Sequence, residues 1–256
     1  HITNTIKQMV IYDRLGWDYP KFAHIPLING PDGKRLSKRH GATSLIEYRK
    51  MGYLSEVLIN YLALLGWNPK TDEEIFNMDF LIDNFTLDNV NKTHAMFDIE
   101  KLTWMNGQYL FKMDIENKTD LLMEYLKRYE DRRPEKDYVK RILEVLGERG
   151  KTLKEISDMT GYFFTEPSEY SKKKDMDLKP ELLSLLKDCE FKRDNLEKSI
   201  RTFCEKNEIK LGKVAQYLRM ALTGSTASPG IFSVLELIGK EEVIKRIGRY
   251  NTWLKE

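Results

Sequence analysis

The chain has 256 residues, with 42 Lys and Arg against 40 Asp and Glu and a formal net charge of +2. So even a balance does not by itself mark a nucleic-acid binder; only the distribution of charge can do that. With 41% apolar and 32% charged residues, the chain is long enough to bury a sizeable core without cross-links, as one large domain or two smaller ones.

Lys7 to Leu15 is expected to form a helix ended by Gly16. Phe22 to Asn29, with Ile25, Leu27 and Ile28 between turn formers, reads as a short strand. It runs into Asn29-Gly30-Pro31-Asp32-Gly33, where the glycines are free to take positive φ. From about residue 50 onward the period is helical and no period-2 strand is expected. Leu54, Leu58, Leu62 and Leu65 define a face closed by Gly66. Asp98 is placed as an N-cap, with Phe97 and Leu102 spaced as a hydrophobic staple. Leu121, Leu122, Tyr125, Leu126 and Tyr129 form the next stripe, and polar residues at Asp114–Lys118 precede it as a domain boundary. Pro134 begins a helix bearing Tyr138, Ile142, Leu143 and Leu146 and ended by Gly147. Thr152 and Glu155 form a capping box, and Pro180 fits a first helical turn ahead of Leu182, Leu183 and Leu186. Leu196, Ile200 and Phe203 follow, then Leu211, Val214, Leu218 and Leu222 up to Gly224, and last Val243, Ile244, Ile247 and Leu254. Most of these stripes are core. Glu166 to Lys174 is polar and loop-like.

Cys189 and Cys204 match no metal spacing and require no disulfide framework; Cys204 falls on an apolar face. A reducing, cytoplasmic compartment is expected. No apolar run approaches the ~18 residues of a membrane span. His24, His40 and His94 have no metal spacing, so no metal site is expected, and His24 reads as a packed strand residue. The opening His1-Ile2-Thr3-Asn4-Thr5, without Met, reads as the start of a fragment.

The chemistry lies in Gly33-Lys34-Arg35-Leu36-Ser37-Lys38-Arg39-His40-Gly41. A glycine turn presents four cations and a serine hydroxyl within a few residues, the donors a polyphosphate clamp needs. Composition alone leaves two other readings open, a solvated basic loop and an RNA-backbone contact. The Lys172-Lys173-Lys174 run reads as a solvated face.

Arg35 to Arg39 resembles the Lys-Leu-Ser-Lys-Arg signature of class I aminoacyl-tRNA synthetases. Its surroundings resemble the bacterial-type glutamyl-tRNA synthetase family. The resemblance is carried by Leu15-Gly16-Trp17, Phe22 to Ile28, Leu64 to Trp67, Phe97-Asp98 and Trp104 to Leu110. It continues through Leu218 to Gly224, Ser228-Pro229-Gly230 and Leu237 to Glu241, in order across almost the whole chain.

The resemblance implies a mainly α chain. Residues 1–46 would be a small α/β remnant of the class I catalytic fold, 47–116 a helical stem-contact domain and 117–256 an all-helical anticodon-binding domain. It implies attachment of glutamate to tRNA(Glu) through glutamyl-adenylate, with ATP and Mg2+ as the substrate complex. The partners would be tRNA, L-glutamate and ATP, and the state a monomer. By resemblance Lys38 and then Arg35 stabilise the departing pyrophosphate, Ser37 holds the loop in register, and Arg39 serves either phosphate or structure. Arg35 stands where the signature has lysine, keeping the charge with a planar geometry, and Ile6 stands where many relatives have proline. Arg149 matches the arginine set against the last anticodon base, and Lys210, Arg219 and Thr223 are candidates for the other bases; Leu211 and Leu222 read as core. His1 lies where relatives approach adenine and otherwise reads as a disordered terminus. On this reading the 256 residues supply the phosphate loop and RNA binding but do not charge tRNA alone. The alternatives are a stand-alone tRNA-binding module and an enzyme that also charges tRNA(Gln). The helical period after residue 119 disfavours the glutaminyl relatives, whose anticodon domains are β-barrels.

Overall fold

The computed structural model describes residues 2–37, 44–176 and 179–255. Among them are thirteen α-helices, a 3-10 turn at Leu87–Asn89 and one parallel sheet of two short strands. The mainly helical class with a small α/β part at the front is therefore the one observed. Backbone contacts divide the chain into two compact units, His1–Tyr109 and Leu110–Glu256.

In the first unit, α1 spans Ile2–Leu15, starting ahead of the expected Lys7, and Gly16 ends it with φ +66°. None of its residues is buried; Ile2, Ile6 and Val10 are all exposed. Only Ile28–Asn29 of the expected strand is β1, pairing in parallel with β2, Ala95–Met96. A two-residue strand has no period to detect, which is why β2 was not expected. His24 is a correction: it lies exposed and outside the strand, its Nε2 3.2 Å from Thr5 Oγ1.

After α2 (Leu45–Lys50), capped by a Ser44–Glu47 box, comes α3 (Ser55–Gly66). The expected face needs correcting here. Leu54, Val57, Leu58 and Tyr61 are buried, whereas Leu62 is 43% exposed. The helix turns polar groups inward because the core has partners for them. Buried Asn60 accepts from Phe76 N–H and the Tyr109 hydroxyl, each at 2.8 Å, and Tyr61 accepts from Asp98 N–H at 2.7 Å. After α4 (Met78–Asn84), α5 covers Ile99–Lys112. Asp98 caps α5, accepting from Glu100 and Lys101 N–H at 2.9 and 3.1 Å, and Phe97 and Leu102 are both buried, as the staple requires.

The second unit is an all-helical bundle, from α6 (Ile115–Tyr129) through α7 (Lys136–Leu146), α8 (Leu153–Phe164), α9 (Lys179–Asp188) and α10 (Arg193–Lys206) to α11 (Leu211–Thr223), α12 (Ile231–Ile238) and α13 (Lys240–Trp253). Pro134 stands ahead of α7, not inside it. Thr152 accepts from Glu155 N–H at 3.1 Å as expected, but the Glu155 carboxylate reaches Lys151 N–H rather than the cap's own. The core joins Ile142, Leu186, Leu196, Ile200, Leu218 and Val234, all wholly buried, and Cys204 is buried beside them. Fully burying one such side chain contributes about 1.5–3 kcal/mol.

Candidate functional site

The first unit carries the start of the basic loop. β1 delivers the chain to a turn at residues 30–34. Gly33 has φ +72° and donates to Gly30 O at 3.0 Å, and Gly30 N–H donates to Lys34 O at 2.8 Å. Asp32 accepts from Lys34 N–H at 3.0 Å, a side-chain closure that tightens the same turn. The return limb runs antiparallel to the strand: Asn29 bridges to Arg35, and Leu36 N–H donates to Ile28 O at 2.9 Å. On the other side, Phe97 N–H donates to Asn29 O at 2.8 Å, so the base of the loop is fixed to the sheet. Arg35 and Ser37 are exposed, and neither Lys34 nor Arg35 has an ion pair among the described residues. Lys38, Arg39 and His40 lie outside the described residues. The described limb is thus a hydrogen-bonded hairpin that presents Lys34 and Arg35 to solvent, the arrangement an anionic ligand needs.

The second unit holds the other candidates. Arg149 is exposed on a tight connection between α7 and α8. Gly147 and Gly150 there have φ +64° and +81°, and a Cβ on Gly150 would come within 2.7 Å of Ile156 Cγ1. The Tyr162 hydroxyl, buried and without a hydrogen-bond partner in the described structure, lies within electrostatic range of Arg149. Burial pushes that phenol's pKa far up, and the guanidinium opposes the shift.

Arg219 lies on α11, where its Nε donates to Ser228 Oγ at 3.2 Å. Thr223 closes the same helix; its hydroxyl bonds Arg219 O at 2.9 Å and accepts from Ser225 N–H at 3.2 Å. That hydroxyl is therefore committed to the turn, while the terminal guanidinium nitrogens of Arg219 have no bond among the described residues. Lys210 is the N-cap of α11, and Thr223 its last residue. At 1.5 Å per residue this places Lys210 about 20 Å from Thr223, at the opposite end of the helix.

Arg246 of α13 had no signal in the sequence, because a charged residue on a charged helix reads as surface. It is 3% exposed. Its NH1 donates to Tyr162 O at 2.7 Å and Leu222 O at 2.9 Å, and its Nε donates to Glu242 Oε1 at 2.8 Å. It thereby ties α8, through Tyr162, to the α11 end that carries Arg219 and Thr223. Arg219 and Thr223 thus share one end of α11, Lys210 stands at the other end, and Arg149 lies on the α7–α8 connection. Among the described residues, no group of three or more His, Cys, Asp or Glu side chains could hold a metal ion, and no helix is long and apolar enough to cross a membrane.

Comparison with known families gives these features a context. Residues 1–104 match the catalytic domain of class I tRNA synthetases (E and Q), and residues 117–250 match an anticodon binding domain. The second match alone covers more than half of the 256 residues, so the chain belongs to the anticodon-binding-domain family, with part of a class I synthetase catalytic domain ahead of it. Within that class it is a homologue of glutamate–tRNA ligases. It is 40% identical to the glutamate–tRNA ligase of Moorella thermoacetica, over 100% of this chain and 55% of the relative. The ligase of Thermodesulfovibrio yellowstonii is 42% identical, over 97% of this chain and 56% of the relative. A crystal structure of a glutamate–tRNA ligase from Elizabethkingia meningosepticum, in complex with its amino acid, superposes with a TM-score of 0.81 at 32% identity, covering 99% of this chain and 55% of that one. The chain thus spans about half the length of the relatives it matches.

Proposed function

We propose that the chain forms part of a glutamate–tRNA ligase, contributing one ATP-phosphate loop and the surface that reads tRNA(Glu). The observation that carries this reading is the 40% identity to a glutamate–tRNA ligase along the entire chain. The complete ligase would join ATP, with its Mg2+, and L-glutamate into glutamyl-adenylate, then pass the acyl group to the terminal ribose of tRNA. Pyrophosphate gains charge as it departs, so fixed cations aimed at it bind the transition state better than the ground state. Lys38 is assigned this role first and Arg35 second, with Ser37 and Arg39 as further phosphate-loop residues. The hairpin anchored on β1 and Phe97 supports the part given to Arg35, because a hydrogen-bonded base lets that cation act with little reorganisation.

In finer division, residues 1–46 would close the catalytic domain, 47–116 contact the tRNA stem and 117–256 bind the anticodon. Anticodon bases are unpaired and are read by stacking and by hydrogen bonds to their edges. Arg149 and Arg219 are the first choices, Lys210 and Thr223 the second. Arg246 joins Tyr162, whose hydroxyl lies within electrostatic range of Arg149, to the α11 end that carries Arg219 and Thr223, which supports treating those three together.

In the complete ligase, Lys38→Ala is expected to slow glutamate-dependent ATP–pyrophosphate exchange about 100-fold or more, with tRNA affinity nearly unchanged. Exchange at the unsubstituted rate would remove the loop from the chemistry and the enzyme reading with it.

A further inference from the structure

The segment between α8 and α9 is built more firmly than a polar connector requires. Its first part is strapped to the end of α11. Gly224 has φ +69°, and a Cβ there would stand 2.4 Å from Glu169 O and 3.0 Å from Pro167 Cβ. Ser171 N–H donates to Gly224 O at 2.9 Å. The next three residues, Lys172, Lys173 and Lys174, rest on an aromatic shelf. The Tyr250 hydroxyl accepts from Lys174 N–H at 2.7 Å and lies 3.4 and 3.3 Å from the carbonyls of Lys172 and Lys174. Tyr170 packs 4.8 and 4.9 Å from the rings of Tyr250 and Trp253, and Lys173 Nζ sits 5.4 Å over the Trp253 ring.

The charge around the strap is not cancelled. None of the three lysines has an ion pair among the described residues. Of the acids beside them, Asp175 is engaged with Lys179 at 2.5 Å and Glu166 with Arg249 at 2.7 Å, which leaves Glu169 as one exposed acid against three lysines. Three adjacent like charges repel one another and favour a solvated, unfixed run. Here their backbone is held by a buried tyrosine. A fixed row of cations with unspent donors suits a polymer of anions, which gives up bound counterions when it docks. Position selects the polymer, because Ser171 is bonded to Gly224, the residue directly after Thr223 and one turn beyond Arg219.

We infer that Lys172–Lys174 form a phosphate-binding strap that holds an RNA backbone against the base-reading end of α11. This rests on reading the second unit as an anticodon binder. Contacts to phosphate set affinity and register but carry no sequence information, so the lysines act alike on every anticodon.

The test is the affinity of tRNA(Glu) transcript for the 256-residue chain between about 50 and 200 mM salt. The Tyr250 bonds are made by backbone atoms, so Lys172→Ala with Lys174→Ala leaves the strap in place, which far-UV circular dichroism and thermal melting check. The double variant is expected to reduce the slope of log K against log salt by about 1.5. It should weaken cognate and anticodon-altered tRNA by the same factor. Trp253→Phe keeps every charge, so it should leave the slope unchanged and weaken binding only about two- to five-fold. An unchanged slope in the folded double variant overturns the strap, as does a loss that depends on anticodon sequence. Lysine-dependent binding to phosphatidylserine vesicles with tRNA binding unaffected also overturns it. Failure of the unsubstituted chain to bind tRNA sinks the anticodon reading itself, whereas normal binding with an unchanged slope sinks the strap alone.

Discussion

At the scale of single residues, the two arginine candidates differ in how they are held. Arg149 extends from a connection whose geometry only glycine permits, since Gly150 has φ +81° and no room for a Cβ beside Ile156. Gly150→Ala is therefore expected to cost about 2 kcal/mol or more in denaturant unfolding, combining left-handed backbone strain with the collision. A cost under about 0.5 kcal/mol would mean that the turn relaxes freely and does not aim Arg149. The side chain itself is exposed, so Arg149→Gln should leave stability almost unchanged. If it contacts a base edge, the substitution should cost about 1–3 kcal/mol of binding, and only for tRNA with the cognate last anticodon base. Charging of tRNA(Glu) and tRNA(Gln) by the complete ligase, before and after this substitution, measures that discrimination. Equal losses on both tRNAs would make Arg149 a backbone contact. Thr223 stands differently: its hydroxyl is already bonded to Arg219 O and Ser225 N–H, so Thr223→Ala should act on the turn before it acts on RNA.

At the scale of elements, the bundle depends on a charge that no period reveals. Arg246 links α8, α11 and α13 through two carbonyls and Glu242. Arg246→Met would leave both carbonyls without that donor and Glu242 with only Lys245, at 3.4 Å, an expected loss of about 3 kcal/mol. Arg246→Lys should not rescue it, because a single ammonium cannot match the planar fork. The same contact predicts a pH dependence. The hydrogen bond from Arg246 holds the Glu242 carboxyl below the ordinary carboxylate pKa, against the opposing effect of burial. A depressed folded value means that the stabilisation is complete above the unfolded pKa and is lost as pH falls through the folded one. Between about pH 5 and pH 3, wild type should therefore lose more thermal stability than Glu242→Gln. Parallel loss in both proteins would show that the pair contributes nothing.

These elements also show what could be read beforehand. Caps and stops were legible because they act locally: Asp98 on α5, Thr152 on α8, and Gly224 after α11 each follow from a few neighbouring residues. The buried face of α3 was misread because Asn60 and Tyr61 turn inward to partners far along the chain, Phe76, Tyr109 and Asp98. β2 escaped notice because two residues have no period. Of the candidate site, the loop at Arg35 was legible from its turn and cations. The tie between α8 and the α11 end that carries Arg219 was not, since it depends on Arg246, indistinguishable in sequence from any surface arginine. The Lys172 run looked like solvated surface because nothing near it in sequence announces Tyr250 or Trp253 beneath it.

At the scale of the whole molecule, the near-neutral charge of +2 is an argument about where RNA affinity must come from. A uniformly basic protein would attract tRNA through its entire field; this one has to do so through local surfaces. The second unit has a hydrophobic core of its own, running from Ile142 to Tyr250, so that unit should stand without the first. A fragment of residues 114–256, beginning at the Asp114 cap of α6, is expected to give a helical circular-dichroism spectrum and one cooperative melting transition. Substantial strand content would contradict the bundle and restore the β-barrel type of anticodon domain. The fragment retains Arg149, Arg219 and the lysine strap but loses the phosphate loop at Arg35. If anticodon reading and ATP-phosphate binding are separate functions of separate units, the fragment should keep preference for the cognate anticodon arm while ATP has no effect on its affinity. Loss of anticodon preference in a folded fragment would place the base-reading residues in the first unit instead.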